Sequence, residues 1–316
     1  MQTPSPVDTV SFNGKQVYVK RDDLLHLAHP DATVAGCPSG FSGNKARKFA
    51  YFLAHEFPGI TKLVGHGSPQ ANSLYSLSVL ARLKGWQLDY YVDHIAAQLR
   101  QQPCGNYAAA LAMGANIVAL DPLASTAGLG CAEYIAGHVL PGHEDILFVP
   151  EGGRCGYAEY GVSQLGQEIV TWVQAQGIRE LKLFLPSGTG TTALFLNKYF
   201  MNVQADIEVL TCAVVGGEDY LRLQFSQLCP ETEFHPRIVP LAKKYHFGKL
   251  YPEYYRMWKQ ACATGIEFEL LYDPLGWLVV EGLLAAEPGI RLMYLHQGGL
   301  LGNDSMLPRY RRKYGP

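Results

Sequence analysis

An amine lies at the start of a predicted helix in the segment Ser42-Gly43-Asn44-Lys45-Ala46-Arg47-Lys48. Gly43 allows a turn, Asn44 can cap the helix, and the apolar residues that follow would hold the helix against a core. An amine near a helix N-terminus, beside further cations, has its protonated form disfavoured, and a neutral amine can attack an aldehyde. Lys45 is therefore a candidate for Schiff-base chemistry. The alternative is a solvated basic first turn.

A phosphate site is predicted after the clearest strand of the sequence, Leu181 to Leu185, which runs into a Gly/Ser/Thr-rich turn before a helix over Ala193 to Phe200. Converging backbone N–H groups, hydroxyls and a helix N-terminus are typical of phosphate binding. The turn matches neither a P-loop nor GxGxxG, so a cofactor with one phosphate is favoured over a nucleotide. The turn consists of Ser187, Gly188, Thr189, Gly190, Thr191 and Thr192.

An anion site is predicted in the loop from His66 to Asn72, between a strand over Thr61 to Gly65 and a leucine-rich helix. Backbone N–H groups at a helix N-terminus point at an arriving anion such as a substrate carboxylate. Asn72 and Ser73 lie at the mouth of this loop. An ordinary N-cap is the alternative.

Two more candidate turns follow strands nearer the C-terminus. Tyr272 and Asp273 follow a strand predicted over Glu267 to Leu271, and Asp273 could cap the next helix. A strand over Leu292 to Leu295 ends in His296-Gln297-Gly298-Gly299. Because open α/β sheets bind ligands at the carboxyl ends of their strands, we expect these contacts to collect on one edge. A buried core tyrosine is the alternative for Tyr272.

The composition favours small-molecule chemistry in a packed α/β protein. The chain has 316 residues, 48% hydrophobic content and a formal net charge of -2, which gives no field to attract nucleic acid or an anionic membrane. Its 7 cysteines are spread along the chain with no CxxC pair, as expected of reduced thiols in the cytoplasm. No apolar run reaches the membrane-spanning length of about 18 residues, and we expect no membrane partner.

Alternating strands and helices predict parallel β/α architecture. No repeat of fixed period and no long polar linker marks a domain boundary. The Gly/Pro-rich segment from His29 to Gly40 could cover a ligand or form a plain surface loop. The glycines of the turn from Glu151 to Tyr157 indicate close backbone approach to a ligand or a tight turn.

Together these motifs resemble the 1-aminocyclopropane-1-carboxylate (ACC) deaminase and D-cysteine desulfhydrase family, pyridoxal-phosphate (PLP) enzymes of fold type II, like the tryptophan synthase β subunit. The resemblance runs from Lys20-Arg21-Asp22-Asp23-Leu24 to the last glycine turn, with five motifs in the family's order. It implies two open, mostly parallel sheets with flanking helices. It also implies a larger PLP-binding domain of residues 1–45 and 156–316 and a smaller inserted domain of residues 46–155.

The resemblance also implies roles for single residues. Lys45 aligns with the Schiff-base lysine, Lys48 with a cation beside the phosphate, and Asn72 with the contact to the ring hydroxyl. Tyr272 aligns with a substrate-facing proton-transfer group, and Asp273 with an acid facing the pyridine nitrogen. The phosphate loop corresponds to Ser187, Gly188, Thr189, Gly190, Thr191 and Thr192, and the substrate-binding residues to Ser68, Gln70, Ala71, Asn72, Ser73 and Tyr272.

The chain departs from the family pattern at three places. Ala71 stands where the family has a serine that takes part in opening the cyclopropane ring. Pro274-Leu275 stands where the family has Gly-Lys, and Gln297 replaces a residue, often threonine, under the ring nitrogen.

The resemblance implies a PLP-dependent deaminase or desulfhydrase that converts a small amino acid to an α-keto acid and ammonia. PLP-dependent β-elimination on another small amino acid is the alternative. Because Ala71 replaces the family serine, a non-catalytic PLP or amino-acid binding protein is a further alternative. A homodimer is implied by the family, and no metal is expected.

Overall fold

The structure is a computed structural model that describes residues 3–25, 42–121 and 128–315. The predicted ligand-covering segment from His29 to Gly40, and Cys37 within it, lie outside these ranges. The cysteines inside them are all free, as expected of reduced thiols.

The strands belong to two sheets. In chain order they are β1 (Val7–Phe12), β2 (Lys15–Arg21), β3 (Lys62–His66), β4 (Gln87–Val92), β5 (Asn116–Ala119), β6 (Ile146–Val149), β7 (Leu181–Ser187), β8 (Ile207–Ala213), β9 (Arg237–Ile238) and β10 (Arg291–His296).

Helices connect and flank these strands. They are α1 (Gly43–Ala54), α2 (Asn72–Lys84), α3 (Ala97–Gln101), α4 (Gly105–Ala112), α5 (Cys131–Tyr134), α6 (Ala158–Ala175), α7 (Thr191–Asn202), α8 (Glu218–Leu228), α9 (Pro252–Cys262), α10 (Asp273–Ala286) and α11 (Asn303–Tyr314).

The larger sheet has the order β1-β2-β10-β7-β8-β9 and the smaller sheet the order β5-β4-β3-β6. All described strand pairs are parallel except β1 with β2, which form a hairpin around Asn13 and Gly14. Both turn residues have positive φ, which is why Asn-Gly suits this position. The mostly parallel α/β architecture predicted from the sequence is confirmed. The division into domains stays a prediction.

Helix α1 packs on the core of the smaller sheet. Phe49 and Phe52 are fully buried there with Leu63 of β3 and Leu74 of α2. The opposite face of α1 packs on α6, where Gly161 lies so close that an added methyl would come 2.0 Å from the carbonyl oxygen of Arg47. Helix α1, which carries Lys45, therefore packs against a core as predicted, and it lies between the smaller sheet and α6.

A buried ion cluster fixes the first turns of α1. The Arg47 guanidinium, fully buried, donates to both carboxylate oxygens of Asp22 and to both of Glu168 on α6, at 2.7 to 3.1 Å. Lys20 on β2 donates to Glu168 at 2.7 Å, and Ser5 Oγ donates to Asp22 at 2.6 Å. Two cations and two anions thus satisfy one another inside the protein.

The strand predicted over Glu267 to Leu271 is wrong, because this segment is irregular. Its backbone N–H groups donate to side chains instead of a neighbouring strand: Glu269 N to Asp273, Leu270 N to Asn303 and Leu271 N to Glu269. Acidic and amide side chains at this spacing compete with a ladder for backbone donors.

The segment from Pro236 to Tyr255 contains β9 and the start of α9. Within the described ranges, no helix combines the length and apolar character needed to cross a membrane.

Replacing Arg47 with methionine tests the ion cluster. Arg47→Met keeps an unbranched chain but leaves Asp22 and Glu168 buried without their main partner. We expect a loss of about 3–5 kcal/mol in the free energy of unfolding, measured by denaturant titration. The control, Arg222→Met, removes an exposed pair with Glu218 and should change stability little. Equal losses in both variants would contradict the assignment.

Candidate active site

One cavity of about 410 Å³ collects the predicted site residues. It is lined by the start of α1, the loop before α2, the turn between β7 and α7, the segment before α10 and the turn after β10. Every residue predicted for the site lines it: Lys45, Lys48, Ser68, Gln70, Ala71, Asn72, Ser73, Ser187, Gly188, Thr189, Gly190, Thr191, Thr192, Tyr272, Asp273 and Gln297. Tertiary structure therefore brings the separate motifs into one place.

The turn that carries Lys45 is held by the backbone of Gln297. Gly43 has a φ of 70°, and a methyl group there would come 2.5 Å from the carbonyl oxygen of Gln297. The Asn44 N–H donates to that oxygen at 3.0 Å, and Asn44 Nδ2 donates to Gln297 Oε1 at 3.0 Å. Asn44 is therefore not the helix cap as predicted. Ser42 is the N-cap residue, and Asn44 instead ties α1 to the end of β10.

Burial shifts the protonation of Lys45. Loss of water around the amine lowers its pKa from 10.5 to about 8, against a smaller opposing effect of the Glu151 carboxylate. The lowered pKa was predicted, but the cause is different. The neighbouring cations were expected to contribute, whereas Arg47 points into the ion cluster and desolvation dominates at Lys45.

Lys48 links the lysine helix to the Gly/Ser/Thr turn. Its Nζ donates to the carbonyl oxygen of Gly152 at 2.9 Å. Gly152 in turn lies against Thr189, since a methyl added to Gly152 would come 3.0 Å from Thr189 Cγ2. Burial, and next the charge of Lys45, holds the pKa of Lys48 well below its usual value. Lys48 therefore lies near the Gly/Ser/Thr turn, and its role beside a phosphate stays a prediction.

The turn from Ser187 to Thr192 has the features of an anion cradle. It joins the carboxyl end of β7 to the first residue of α7. Gly190 has a φ of 70°, and a methyl group there would come 2.3 Å from the Phe225 ring, so this position requires glycine. Thr192 Oγ1 is buried and has no hydrogen-bond partner among the described residues. A buried hydroxyl without a partner lowers the stability of the folded protein, and a hydrogen bond from it to a ligand oxygen removes that penalty.

Asn106 of α4, which is buried, fixes the loop before α2 through two hydrogen bonds. Asn106 Nδ2 donates to Asn72 Oδ1 at 2.7 Å and to the carbonyl oxygen of Gln70 at 3.0 Å. Asn72 is the first residue of α2 and Ala71 its N-cap, so the alternative of Asn72 as an ordinary N-cap is wrong. Ser73 is buried, with its hydroxyl 3.2 Å from that of Tyr90.

Glu269 organises the turn that carries Tyr272, and the sequence analysis missed it. Its carboxylate accepts the N–H groups of Leu271, Tyr272 and Asp273. Burial, followed by the nearby Asp273 carboxylate, raises the pKa of Glu269. The available signal was an acid four residues before Asp273, at a spacing that lets a side chain reach the next turn.

Tyr272 points its hydroxyl toward the cradle. A methyl added to Gly188 would come 3.2 Å from Tyr272 Oη, and the Tyr272 ring lies 5.3 Å from that of Phe247. Burial, then the charge of Glu269, raises the pKa of Tyr272, so the phenol stays protonated at neutral pH. Tyr272 is not a simple core tyrosine, because it lines the cavity.

Asp273 and Gln297 both have protein partners. Asp273 accepts the hydroxyl of Tyr294 on one oxygen and the Glu269 N–H on the other, so it is not the predicted cap of α10. Gln297 Nε2 donates to the carbonyl oxygen of Pro186 at 2.8 Å. Gln297 thus contacts both the lysine turn and the strand that leads into the cradle. Their roles at a ring nitrogen stay predictions.

Known structures share this architecture. The chain superposes on an ACC deaminase homologue with a TM-score of 0.79 and 20% identity, covering 98% of this chain and 94% of the other. For threonine deaminase isoform 2 from Solanum lycopersicum the TM-score is 0.63 at 12% identity, with 99% and 84% covered. For O-ureido-L-serine synthase it is 0.63 at 12% identity, with 95% and 90% covered.

The chain has the tryptophan synthase β-like fold of fold type II. The resemblance inferred from the motifs is confirmed at the level of the fold. No protein-family model and no curated protein matches the sequence. At these identities the likeness establishes the fold and leaves the reaction open.

PLP, the cofactor that the sequence resemblance implies, can be compared with the groups that line the cavity. PLP has an aldehyde that needs an amine and a phosphate that needs N–H and hydroxyl donors. The cavity offers the amine of Lys45, the N-terminus of α7 and the unpaired hydroxyl of Thr192.

Replacing Thr192 with valine tests the cradle. Thr192→Val exchanges an unpaired hydroxyl for a methyl of similar size, so the stability of the cofactor-free protein should stay the same or rise. PLP affinity should fall about tenfold because a hydrogen bond to a charged oxygen is lost. Thermal unfolding and PLP titration measure the two effects.

The matched control is Thr211→Val, which should change the stability of the cofactor-free protein in the opposite direction. Thr211 Oγ1 lies 2.8 Å from the carbonyl oxygen of Leu185 and 2.7 Å from Ser187 Oγ. Thr211→Val should therefore lower the stability of the cofactor-free protein, by about 1–3 kcal/mol. If Thr192→Val loses stability in the same way and binds PLP normally, the cradle is misassigned.

Proposed function

We propose that this protein is a PLP-dependent enzyme that acts on an amino acid, of the deaminase or desulfhydrase type, and releases an α-keto acid and ammonia. The observation that carries the proposal is the presence, in one cavity, of a lysine with a lowered pKa and a Gly/Thr turn at a helix N-terminus. The fold supports it, since the enzymes with this fold that the chain resembles are PLP-dependent.

When bound, PLP supplies an aldehyde that condenses with amines and a ring that accepts electrons from a breaking bond at Cα. Lys45 would hold it, with Lys48 and the Ser187 to Thr192 turn at its phosphate and Asn72 beside the ring. Gln297 ties the lysine turn to the strand of the cradle.

Lys45 is the nucleophile and base of the site. Its pKa of about 8 leaves a substantial neutral fraction at neutral pH, and the neutral amine has the lone pair needed to bond to carbon or accept a proton. Asn44 Oδ1, at 3.5 Å, is the polar atom nearest to Lys45 Nζ among its recorded contacts. Among the residues that the structure describes, no carboxylate forms a salt bridge with this amine.

Tyr272 is the proton donor of the site. Its raised pKa keeps the proton on Oη until a stronger base is opposite. Glu269 positions it by holding three successive N–H groups of its turn. Tyr272 and Lys45 line the same cavity. A ligand bound there can therefore receive a proton from Tyr272 and lose one to Lys45.

The loop before α2, here called the substrate loop, has room for a small amino acid, and several amino acids would suit its few polar groups. Ala71 has no hydroxyl, and Ser73 is turned to Tyr90. Ser68 Oγ accepts the Gln70 N–H at 3.2 Å. The loop therefore offers Asn72 and the N-terminus of α2 to a substrate carboxylate.

A homodimer is also proposed, and sedimentation equilibrium tests it.

The pH dependence of cofactor uptake tests Lys45. Because the neutral amine reacts and its pKa is lowered to about 8, the rate at which the visible absorbance of bound PLP develops should rise with pH and level off above about pH 8. For an unshifted lysine the rise would continue beyond pH 10.

Lys45→Ala should lack this absorbance, while Lys313→Ala, which removes an exposed lysine outside the cavity, should keep it. A Lys45→Ala protein with the same visible band would refute the assignment.

Turnover by a Tyr272→Phe variant tests the proton donor. The variant should retain PLP absorbance, because the ring and its packing on Phe247 are kept. Its turnover should fall about 100-fold or more through loss of the hydroxyl. The measurement is keto-acid release from D-cysteine, D-serine and ACC.

Wild-type protein that binds PLP but turns over none of a broad amino-acid panel would favour the non-catalytic alternative. In that case Ala71→Ser, which restores the family hydroxyl, shows whether this position limits activity.

A further inference from the structure

Arg309 of α11 lines the cavity on a wall separate from the cradle. The path from the cradle to Arg309 passes two aromatic rings: Gly188 lies against Tyr272, whose ring packs on Phe247. Arg309 Nη2 then lies 3.4 Å from the carbonyl oxygen of Gly248, the next residue. Along this path, Tyr272 and Phe247 therefore stand between the cradle and Arg309.

The guanidinium of Arg309 has weak partners. Its other recorded contact is Nη1 to the Met306 sulfur, at 3.0 Å on the same helix. Within residues 3–25, 42–121 and 128–315, no carboxylate forms an ion pair with Arg309. An arginine with five N–H donors and only a sulfur and a long carbonyl contact retains most of its capacity for an anion.

The acidic residues of the cavity wall do not neutralise Arg309. Glu269 and Asp273 accept backbone N–H groups of their own turn. Glu151 acts on Lys45 and lies beside Gly67, where an added methyl would come 3.4 Å from its carboxylate. The cavity thus has a positive charge on the α11 wall.

The start of α11 lies beside the substrate loop. A methyl added to Gly302, the residue before α11, would come 3.8 Å from Asn72 Oδ1. Arg309 is six residues beyond Asn303, which is about 9 Å along a helix axis. Helical side chains lean toward the N-terminus, and the contact with Met306 shows that Arg309 does so. The guanidinium therefore lies less than about 10 Å along the helix axis from the start of α11, and Leu271 and Met306 line the same cavity.

We propose that Arg309 binds a second anionic group, so that the preferred ligand of this cavity is an α-amino acid whose side chain ends in a carboxylate or a phosphate. The α-carboxylate lies at the N-terminus of α2, and the side-chain anion lies against the guanidinium. This inference rests on the proposed function for the placement of the α-carboxylate and names the substrate class of that site.

Matched ligand pairs test the inference. Aspartate against asparagine and glutamate against glutamine differ in charge at nearly constant size, and O-phosphoserine against serine tests phosphate. Both enantiomers of each are titrated by calorimetry into the PLP-treated protein, which reports binding whether or not turnover follows. Wild type is compared with Arg309→Met, which keeps much of the apolar stem. The control is Arg312→Met, an exposed arginine on the same helix outside the cavity.

In wild type and Arg312→Met, at least one anionic ligand should bind about tenfold or more tightly than its neutral partner, the range expected for a hydrogen bond to a charged group. Arg309→Met should abolish that preference while leaving the affinity of the neutral partner and the visible absorbance of bound PLP unchanged. The ligand pair with the larger difference in affinity shows whether Arg309 prefers a carboxylate or a phosphate.

Three results would overturn the inference: no preference for any anionic ligand in wild type, a preference that survives in Arg309→Met, or equal loss of both members of a pair. The last would place the α-carboxylate on Arg309. Failure of the proposed function is a different result, namely absence of the PLP absorbance that depends on Lys45.

Discussion

The geometry of the site depends on the buried guanidinium of Arg47. It lies between Asp22, just after β2, and Glu168 on α6, and it thereby fixes the helix that carries Lys45 two residues earlier. Buried ion pairs contribute little net stability because desolvation opposes attraction, but they accept only one arrangement of donors and acceptors. The cluster therefore determines where α1 begins relative to the larger sheet, and so where the Lys45 amine can reach.

Burial acts on each ionisable group of the cavity with the sign that its charge dictates. It lowers the pKa of Lys45 and raises the pKa of Tyr272, because in both cases the charged form loses more hydration than the neutral one. In the described part of the chain, the buried hydroxyl of Thr192 also has no hydrogen-bond partner. An amine that loses its proton more readily than an exposed lysine, a protonated phenol and unused hydrogen-bond donors are what a site needs to receive an aldehyde with an anionic tail.

The likeness to other fold type II structures shows how weakly this fold constrains sequence. A TM-score of 0.79 is kept at 20% identity, because parallel strands and their flanking helices need apolar side chains of suitable size more than particular ones. Chemistry is set by the few residues at the carboxyl ends of the strands. In this cavity the backbone N–H groups at the start of α2 follow β3, whereas Arg309 comes from α11 and adds a positive charge that no strand end supplies.

The sequence by itself determined the alternation of strands and helices and the turns at their ends, because hydrophobic periodicity and glycine-rich turns are local properties. Lys45 and the Ser187 to Thr192 turn were located in this way, whereas Tyr272 was located after a predicted strand that does not form. Tertiary structure alone decided that Glu267 to Leu271 is irregular, that Asn44 contacts Gln297 rather than capping α1, and that Glu269 and Arg309 face the cavity. Each of these depends on partners far along the chain or on a side chain's competition for backbone donors, and neither leaves a periodic signal in the sequence.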